Sequence, residues 1–469
     1  MEPQIFRPPM YRTPPLRLPP VIPLGLQALY GACRAIYPDQ PNPLQVAALV
    51  KYWLGGPDPL DYISMYSNPG NPEAGIPPHW HYVSFGLSDL HGDGRVHGRD
   101  GLSSGFGFEL TFRLARGPGD GPVPPTWPAA ILQALAKYVF QTENTLCAGD
   151  HVSWHCPLDN SESRVQHMLM CEDPQLGTVA TPFGPVAFVQ IVGALQEELH
   201  AAQGWNGPGV VDLLRGAPGA GGSWLVTDMR RRESLFQLSP GARAQVDAGI
   251  AQDGSNLSGV SARCTWRELA RGQDEEELER GFAQISVREE EQIKAALAEG
   301  LRGSSSKPPF APRVRSPLDD RPEEEQERPS TALAVQEEEE EVVEPPAGGG
   351  AETRHLERVQ VTLDLEAGTL LVLALRGRLL HGRHFTFKGV VGDAAVTLVP
   401  PGVAGAFVEE GRPLGTRGPW LQVLLQEGDV ARMLADLQVL AGGCEALSLP
   451  KTFHWCGSRL LVTLMHEDY

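Results

Sequence analysis

Apolar and polar positions along this chain follow two periods, and the alternation between them sketches the elements. Gln27–Tyr37 and Pro43–Trp53 place apolar residues at helical spacing, and the second run opens on Asn42-Pro43, a cap residue followed by proline at the first helical position. Both read as short amphipathic helices. Trp80–Leu87 and Phe106–Leu114 instead alternate apolar and polar residues between stretches rich in Gly, Asp and Ser, which predicts antiparallel ribbons. The helical period returns over Pro128–Phe140, Glu197–Gln203 and Gly209–Arg215, and Gly184–Leu195 reads as a buried strand. Trp224–Met229 and Leu235–Leu238 are strand candidates on either side of the basic turn Arg230–Arg232. Helices and strands in mixed order, without a regular βαβ rhythm, predict an α+β fold, mixed α/β in content.

The pattern then breaks. After a helix predicted at Ser286–Leu301, Gly303–Ala347 holds 12 acidic against 5 basic residues, including the unbroken run Glu337–Glu341. Such a segment cannot bury enough apolar surface to offset an ordering cost of ~1–2 kcal/mol per residue, so 303–350 is expected to be a disordered acidic insertion. A second globular block follows, with strands predicted at Val359–Leu365, Thr369–Arg376, Phe385–Phe387, Ala395–Val399, Trp420–Leu425 and Leu460–Leu464, and a helix at Asp429–Leu440. Residues 1–23, with paired prolines at Pro8-Pro9, Pro14-Pro15 and Pro19-Pro20, are expected to be an extended, unpacked and disordered tail. The expected division is therefore tail 1–23, first lobe 24–259 and second lobe 260–469.

Composition changes this picture only at the edges. The formal charge of −19 repels phosphate backbones, and no basic patch overrides it, so direct nucleic-acid binding is not expected. The longest apolar runs fall far short of the ~20 residues of a membrane span, and no membrane partner is expected. Seven cysteines without a C-x-x-C pair read as reduced thiols.

Candidate chemistry is thin. His79 and His81 would share one strand face, with His91, Asp93 and His97 nearby, but H-E-x-x-H and paired cysteines are lacking, and satisfied structural histidines are the simpler reading. Asp150, His151, His155 and Asp159, interspersed with Ser153, Ser161 and Ser163, invite a hydrolase reading, yet no G-x-S-x-G elbow is present; Cys147 and Cys156 lie close enough to histidines by chance alone. The glycine-rich stretch 216–222 has neither P-loop nor dinucleotide spacing. No cofactor is expected, and binding is favoured over turnover. The rivals are a hydrolase using Asp150 and His151, and an adaptor working through its acidic insertion.

Long strings decide further. Tyr37–Tyr66 (YPDQPNPLQVAALVKYWLGGPDPLDYISMY), His79–Leu90 (HWHYVSFGLSDL), Asp150–Gln166 (DHVSWHCPLDNSESRVQ), Asp253–Ala262 (DGSNLSGVSA) and Arg376–Phe385 (RGRLLHGRHF) resemble the Suppressor of fused family. The resemblance runs from about Leu24 to Leu301 and from about Leu356 to Leu464, and it implies two mixed α/β lobes with the insertion inside the second. It implies a cytoplasmic and nuclear negative regulator of Hedgehog signalling, not an enzyme, that binds GLI/Ci zinc-finger transcription factors, sequesters them and represses their activity. Further partners to expect are kinases, ubiquitin ligases and corepressor complexes. Family members hold a Ser-Tyr-Gly-His segment of the partner as an added β-strand in the cleft between the lobes. Carried over by position, the contact residues are Tyr138, Leu146, Asp150 and Glu172 of the first lobe, with Val260 and Leu370 of the second. The two acids would accept hydrogen bonds from the segment's imidazole, and the apolar residues would supply walls and strand edges. This chain departs from the family pattern at Leu146, where an aromatic is more frequent, and at Ala248, where lysine is. Ser316 and Ser330 are the nearest substitutes for the family's phosphorylation string.

Overall fold

The computed structural model describes residues 22–97, 103–117, 119–217, 219–269, 352–390, 392–442 and 448–466. The acidic insertion, the helix expected at Ser286–Leu301, Ser316 and Ser330 lie outside them. The chain divides into two compact units, Met1–Leu257 and Ser258–Tyr469.

The strands of the first unit are β1 (Leu44–Ala47), β2 (Tyr62–Asn68), β3 (His79–Phe85), β4 (Phe108–Ala115), β5 (His151–Ser153), β6 (His167–Glu172), β7 (Thr178–Thr181) and β8 (Gly184–Ala194). They form one eight-stranded sheet in the order β1-β2-β3-β4-β8-β6-β5, with β7 paired to β8 outside this path. Its helices are α1 (Leu24–Ile36), α2 (Trp127–Thr142), α3 (Gln196–Gly204), α4 (Gly207–Gly216), α5 (Leu235–Leu238) and α6 (Gly241–Asp253). Strand alternation sorts the core into layers. Phe108, Leu110 and Phe112 of β4 point to one face, with Tyr82, Met170 and Ile191, and pack against Ile131, Leu132 and Leu135 of α2. The opposite face carries two apolar clusters. One gathers Leu26 and Leu29 of α1 with Val83, Phe85 and Phe188. The other gathers Val210 and Leu214 of α4 and Val246 of α6 with Leu169 and Val192.

The polar positions of β3 and β4 share that second face and are buried too. His79, His81, Glu109, Thr111 and Arg113 are all inaccessible to solvent. They are tolerated because they satisfy one another. Asp173 takes both oxygens to Arg113 Nη2 at 3.0 Å, and also accepts from His81 Nε2 at 3.0 Å and Thr111 Oγ1 at 2.9 Å. Arg113 spends its remaining donors on Gln190, Gln175 and His79 Nε2, each at 2.9 Å. Glu109 accepts from the hydroxyls of Ser84 and Ser88 and the amides of Gly86 and Ser88.

The network fixes the histidine tautomers. His79 Nε2 accepts from Arg113, so its Nδ1–H donates to the Pro77 carbonyl at 2.8 Å. His81 donates Nε2–H to Asp173 and accepts from the Tyr37 hydroxyl at Nδ1, 2.8 Å away. Burial, reinforced by Arg113, lowers the His81 pKa to about 4; burial lowers His79 to about 3, and burial beside His155 lowers His167 to about 4. The unfolded rings titrate near 6.5, so between pH 6.5 and 4 the unfolded chain binds more protons and acid destabilises the fold. Each ring adds a slope of about 1.4 kcal/mol per pH unit in that window. Glu109, held above the usual carboxylate range by burial, offsets one of the three while it titrates. Urea unfolding of the first unit at pH 7.5, 6 and 5 is expected to show falling stability; a flat profile would contradict the buried neutral rings.

Three predicted elements of this unit change type. Pro43–Trp53 is not a helix: it becomes β1 and a 3-10 turn at Tyr52–Leu54. Gln45 bonds Ser64 and Tyr30, and the strand pairs along β2 from Leu44↔Met65 to Ala47↔Tyr62, so sheet pairing overrides the cap-like Asn42-Pro43. Leu235–Leu238 is helical, closed by a capping box between Ser234 and Gln237. Trp224–Met229 holds the end of a 3-10 turn and a single bridge from Thr227 to Leu114, not a strand.

The second unit has a four-stranded and a six-stranded sheet, built from β9 (Gly259–Ala262), β10 (Cys264–Glu268), β11 (Arg354–His355), β12 (Val359–Asp364), β13 (Phe385–Gly389), β14 (Ala395–Val399), β15 (Leu414–Arg417), β16 (Trp420–Leu424), β17 (Lys451–Trp455) and β18 (Leu460–Met465). Their orders are β10-β12-β18-β17 and β11-β15-β16-β14-β13-β9. Among its described residues the α-helices are α7 (Leu365–Leu373) and α8 (Glu427–Asp436). The strand expected at Thr369–Arg376 is instead α7 running into a π-helical turn at Ala374–Arg378. Asp364 ends β12 and caps α7 by accepting from Ala367 N at 2.8 Å, and a continuous apolar run fits a buried helix as well as a buried strand.

Candidate functional site

Among the described strands, each unit has a sheet edge close to some of the residues singled out by sequence: Asp150 precedes one, and Val260 lies on the other. In the first, β5 ends the eight-stranded sheet. It pairs with β6 from His151↔Leu169 to Ser153↔His167, and no described strand pairs on its other side. The turn before it is set by Asp150, whose Oδ2 accepts from Cys147 N at 2.7 Å, while its carbonyl accepts from Met170 N at 2.8 Å. Glu172 lies two residues beyond Met170 on β6 and is exposed, so the two carboxylate-bearing residues are diagonal neighbours, about 7–8 Å apart at Cα, at one corner of the sheet. Tyr138 and Leu146 lie just upstream. Tyr138 is exposed on α2, its hydroxyl accepting from Asn144 Nδ2 at 3.1 Å, whereas Leu146 is buried in the core under α2.

In the second unit, β9 ends the six-stranded sheet and carries Val260, half-buried. It runs parallel to β13 in the register Val260↔Phe387. Thr386 N donates to Ser258 O and Val390 N to Ala262 O, both at 3.0 Å. In a parallel ladder alternate residues make both backbone bonds to one neighbour. Ser258, Val260 and Ala262 therefore face β13, and the N–H and C=O of Gly259 and Ser261 face the open side. Gly259 has a steric reason to be glycine: a Cβ there would lie 2.6 Å from the Thr386 carbonyl oxygen. Leu370 is not on a strand edge as expected but on α7, buried, and that helix packs on the four-stranded sheet.

The other sequence candidates are engaged in structure. His79 and His81 have both ring nitrogens committed in the buried network, and among the described residues no group of three or more His, Cys, Asp or Glu could hold a metal ion. Ser161 gives its hydroxyl proton to Asp159 and Ser163 gives its own to the Met229 carbonyl, so neither is aimed at a histidine. Cys147 and Cys156 are exposed, and Ala248 is exposed on α6. Sequence reasoning missed Gly259 and Ser261; the signal available was the Gly-Val-Ser-Ala string itself, whose edge position depends on a partner strand more than 120 residues away.

The fold defines a two-lobe α+β protein in which no described strand pairs beyond β5 or β9. Comparison with known proteins places it among relatives. Residues 56–232 match the family profile described as Suppressor of fused protein, and residues 244–464 match the one described as Suppressor of Fused Gli/Ci N terminal binding domain. The chain is 53% identical over 456 residues to the Suppressor of fused homolog of Homo sapiens, covering 94% of this chain and 92% of that protein, and 53% identical to that of Mus musculus over 452 residues. The crystal structure of Drosophila Suppressor of Fused superposes with a TM-score of 0.67 at 38% identity, covering 95% of this chain and 97% of the other. The chain belongs to the Suppressor of fused family, regulators of the Hedgehog pathway.

Proposed function

We propose that this chain captures GLI/Ci transcription factors by adding a Ser-Tyr-Gly-His segment as a β-strand to its open sheet edges, and that it thereby holds them in the cytoplasm and silences them in the nucleus. The observation that carries the reading is the β9 edge, where the backbone donors and acceptors of Gly259 and Ser261 face away from β13 and no described strand pairs with them. Strand addition draws affinity from main-chain bonds and selectivity from side-chain pockets. Selectivity here comes from the acidic corner before β5. Asp150 and Glu172 accept from the segment's imidazole, each contact contributing about 1.5–3 kcal/mol where shielded from water. Tyr138 offers a ring and a hydroxyl, Val260 an apolar contact, and Leu146 and Leu370 support from beneath, since both are buried. The net charge of −19 favours encounter with a basic zinc-finger partner without setting specificity. Kinases, ubiquitin ligases and corepressor complexes, with phosphorylation at Ser316 and Ser330, belong to the regulation of this capture.

Asp150→Asn tests the reading cleanly, because the amide oxygen still accepts from Cys147 N and only the charge is removed. Calorimetry with a Ser-Tyr-Gly-His peptide is expected to show affinity reduced by about tenfold or more with an unchanged circular dichroism spectrum. Undiminished affinity would refute the acidic corner as the imidazole reader.

A further inference from the structure

The exposed face of the β9 edge carries a lone cation. Side chains alternate along β13: Phe385 and Phe387 are buried on one face, whereas Thr386 is half-buried and Lys388 exposed on the other. The parallel register sets Lys388 beside Ser261 and Thr386 beside Gly259, and residues paired side by side point to the same face. Ser261 is accordingly exposed. On its other side Lys388 pairs with Ala395 of β14. The three strands read Gly-Val-Ser-Ala, Phe-Thr-Phe-Lys-Gly and Ala-Val-Thr-Leu-Val, so Lys388 is the only charged side chain on them.

That cation has no counter-ion within the described residues. Lys51 lies 3.5 Å from Asp61 and Lys137 2.8 Å from Asp58, but none of the described carboxylates forms an ion pair with Lys388. The nearest acid along the chain, Asp393, is exposed and does not pair with it either.

Edge geometry defines what reaches it. The backbone groups of Gly259 and Ser261 face away from β13, so a strand added there lies one spacing beyond β9 and two spacings, about 9.6 Å, from β13. The added residue opposite Ser261 points to the same face as Lys388. Only the short serine side chain stands between them, and Gly259 contributes none. A lysine's four-carbon stem and a glutamate's shorter one, reaching toward each other over the serine, close that gap.

We propose that Lys388 reads a carboxylate on the incoming strand, so that this edge selects partner segments carrying Glu or Asp opposite Ser261 on the exposed face. The proposal rests on strand addition at β9 and adds a charge requirement to it. Where Asp150 and Glu172 of the first unit favour a basic group, Lys388 of the second favours an acidic one.

Calorimetry on the full chain tests this, with a Ser-Tyr-Gly-His peptide whose flanking residues are replaced one at a time by Glu or by Lys. Glu is expected to tighten binding about threefold at alternate positions on one side of the segment, the range of an exposed cross-strand ion pair, and Lys at those positions to weaken it by a similar factor. Both effects should shrink in about 0.5 M salt. Lys388→Glu should reverse the preference, so that the Lys peptides bind more tightly than the Glu peptides; the side chain is exposed, so folding is not at risk. A preference for Glu that survives Lys388→Glu, a gain at consecutive positions irrespective of face, or no gain anywhere overturns the role of Lys388; the parent peptide still binds in each of these cases, so strand addition stands. A parent peptide that fails to bind, or that binds Gly259→Ala as well as the unaltered chain, removes strand addition at β9 and the role of Lys388 together.

Discussion

Asp173→Ala is expected to destabilise the first unit by about 3–5 kcal/mol, the cost of leaving a buried charge uncompensated. Arg113 is completely buried, and both Asp173 oxygens are its ion-pair partners. The same carboxylate also accepts from Gln175 N and Leu176 N at 2.9 Å, so it closes the turn after β6 as well. His81 and Arg113 together hold its carboxyl far below the usual range although burial works against ionisation. Asp173→Asn should cost less than alanine, because one oxygen remains for the turn, and the double variant Asp173→Ala/Arg113→Met should recover part of the loss by removing the stranded cation. Urea unfolding separates the cases: a single alanine variant within about 1 kcal/mol of the parent would show that the network is not electrostatically closed.

Gly259→Ala is expected to abolish the β9 edge while sparing the rest of its sheet. The added Cβ would sit 2.6 Å from the Thr386 carbonyl oxygen, and that atom belongs to backbone already paired in β13. Relief requires β9 to move off its neighbour, at a strain of about 1–3 kcal/mol. Because the proposed partner strand adds to this edge, capture of the Ser-Tyr-Gly-His peptide should fall by at least about tenfold, more than stability alone would predict. Ser261→Ala, whose exposed side chain can be trimmed without touching the backbone, serves as the control and should bind normally. Equal affinities for the two variants would remove β9 from the proposed mechanism.

Much of the architecture was legible in the residues. The period of Pro128–Phe140 became α2, Gly184–Leu195 became β8, and Val359–Leu365, Ala395–Val399 and Leu460–Leu464 became β12, β14 and β18, because each is long or strongly apolar and local pattern agrees with burial. The failures share a cause. Pro43–Trp53 looked helical until a neighbouring strand claimed its backbone, and Thr369–Arg376 carried an ambiguous apolar run. For Leu235–Leu238 and for α7 the deciding signals were caps, Ser234 with Gln237 and Asp364 with Ala367, which were present in the sequence and outweighed by apolar content. Among the candidate residues, Asp150 and Glu172 were singled out through family resemblance, while the edge positions of Gly259 and Ser261 went unnoticed because an edge is a property of the sheet, not of the strand.

By itself the sequence determined the α+β class, the composition break between two globular blocks, most of the longer elements and the family. Only the tertiary structure decided that the polar faces of β3 and β4 are buried, that Leu370 is helical, and which strands end their sheets. Local periodicity reports what a segment prefers. It cannot report which distant donors will satisfy Arg113 or Asp173, or which backbone groups will be left facing outward, because those are set by pairings made across the whole chain.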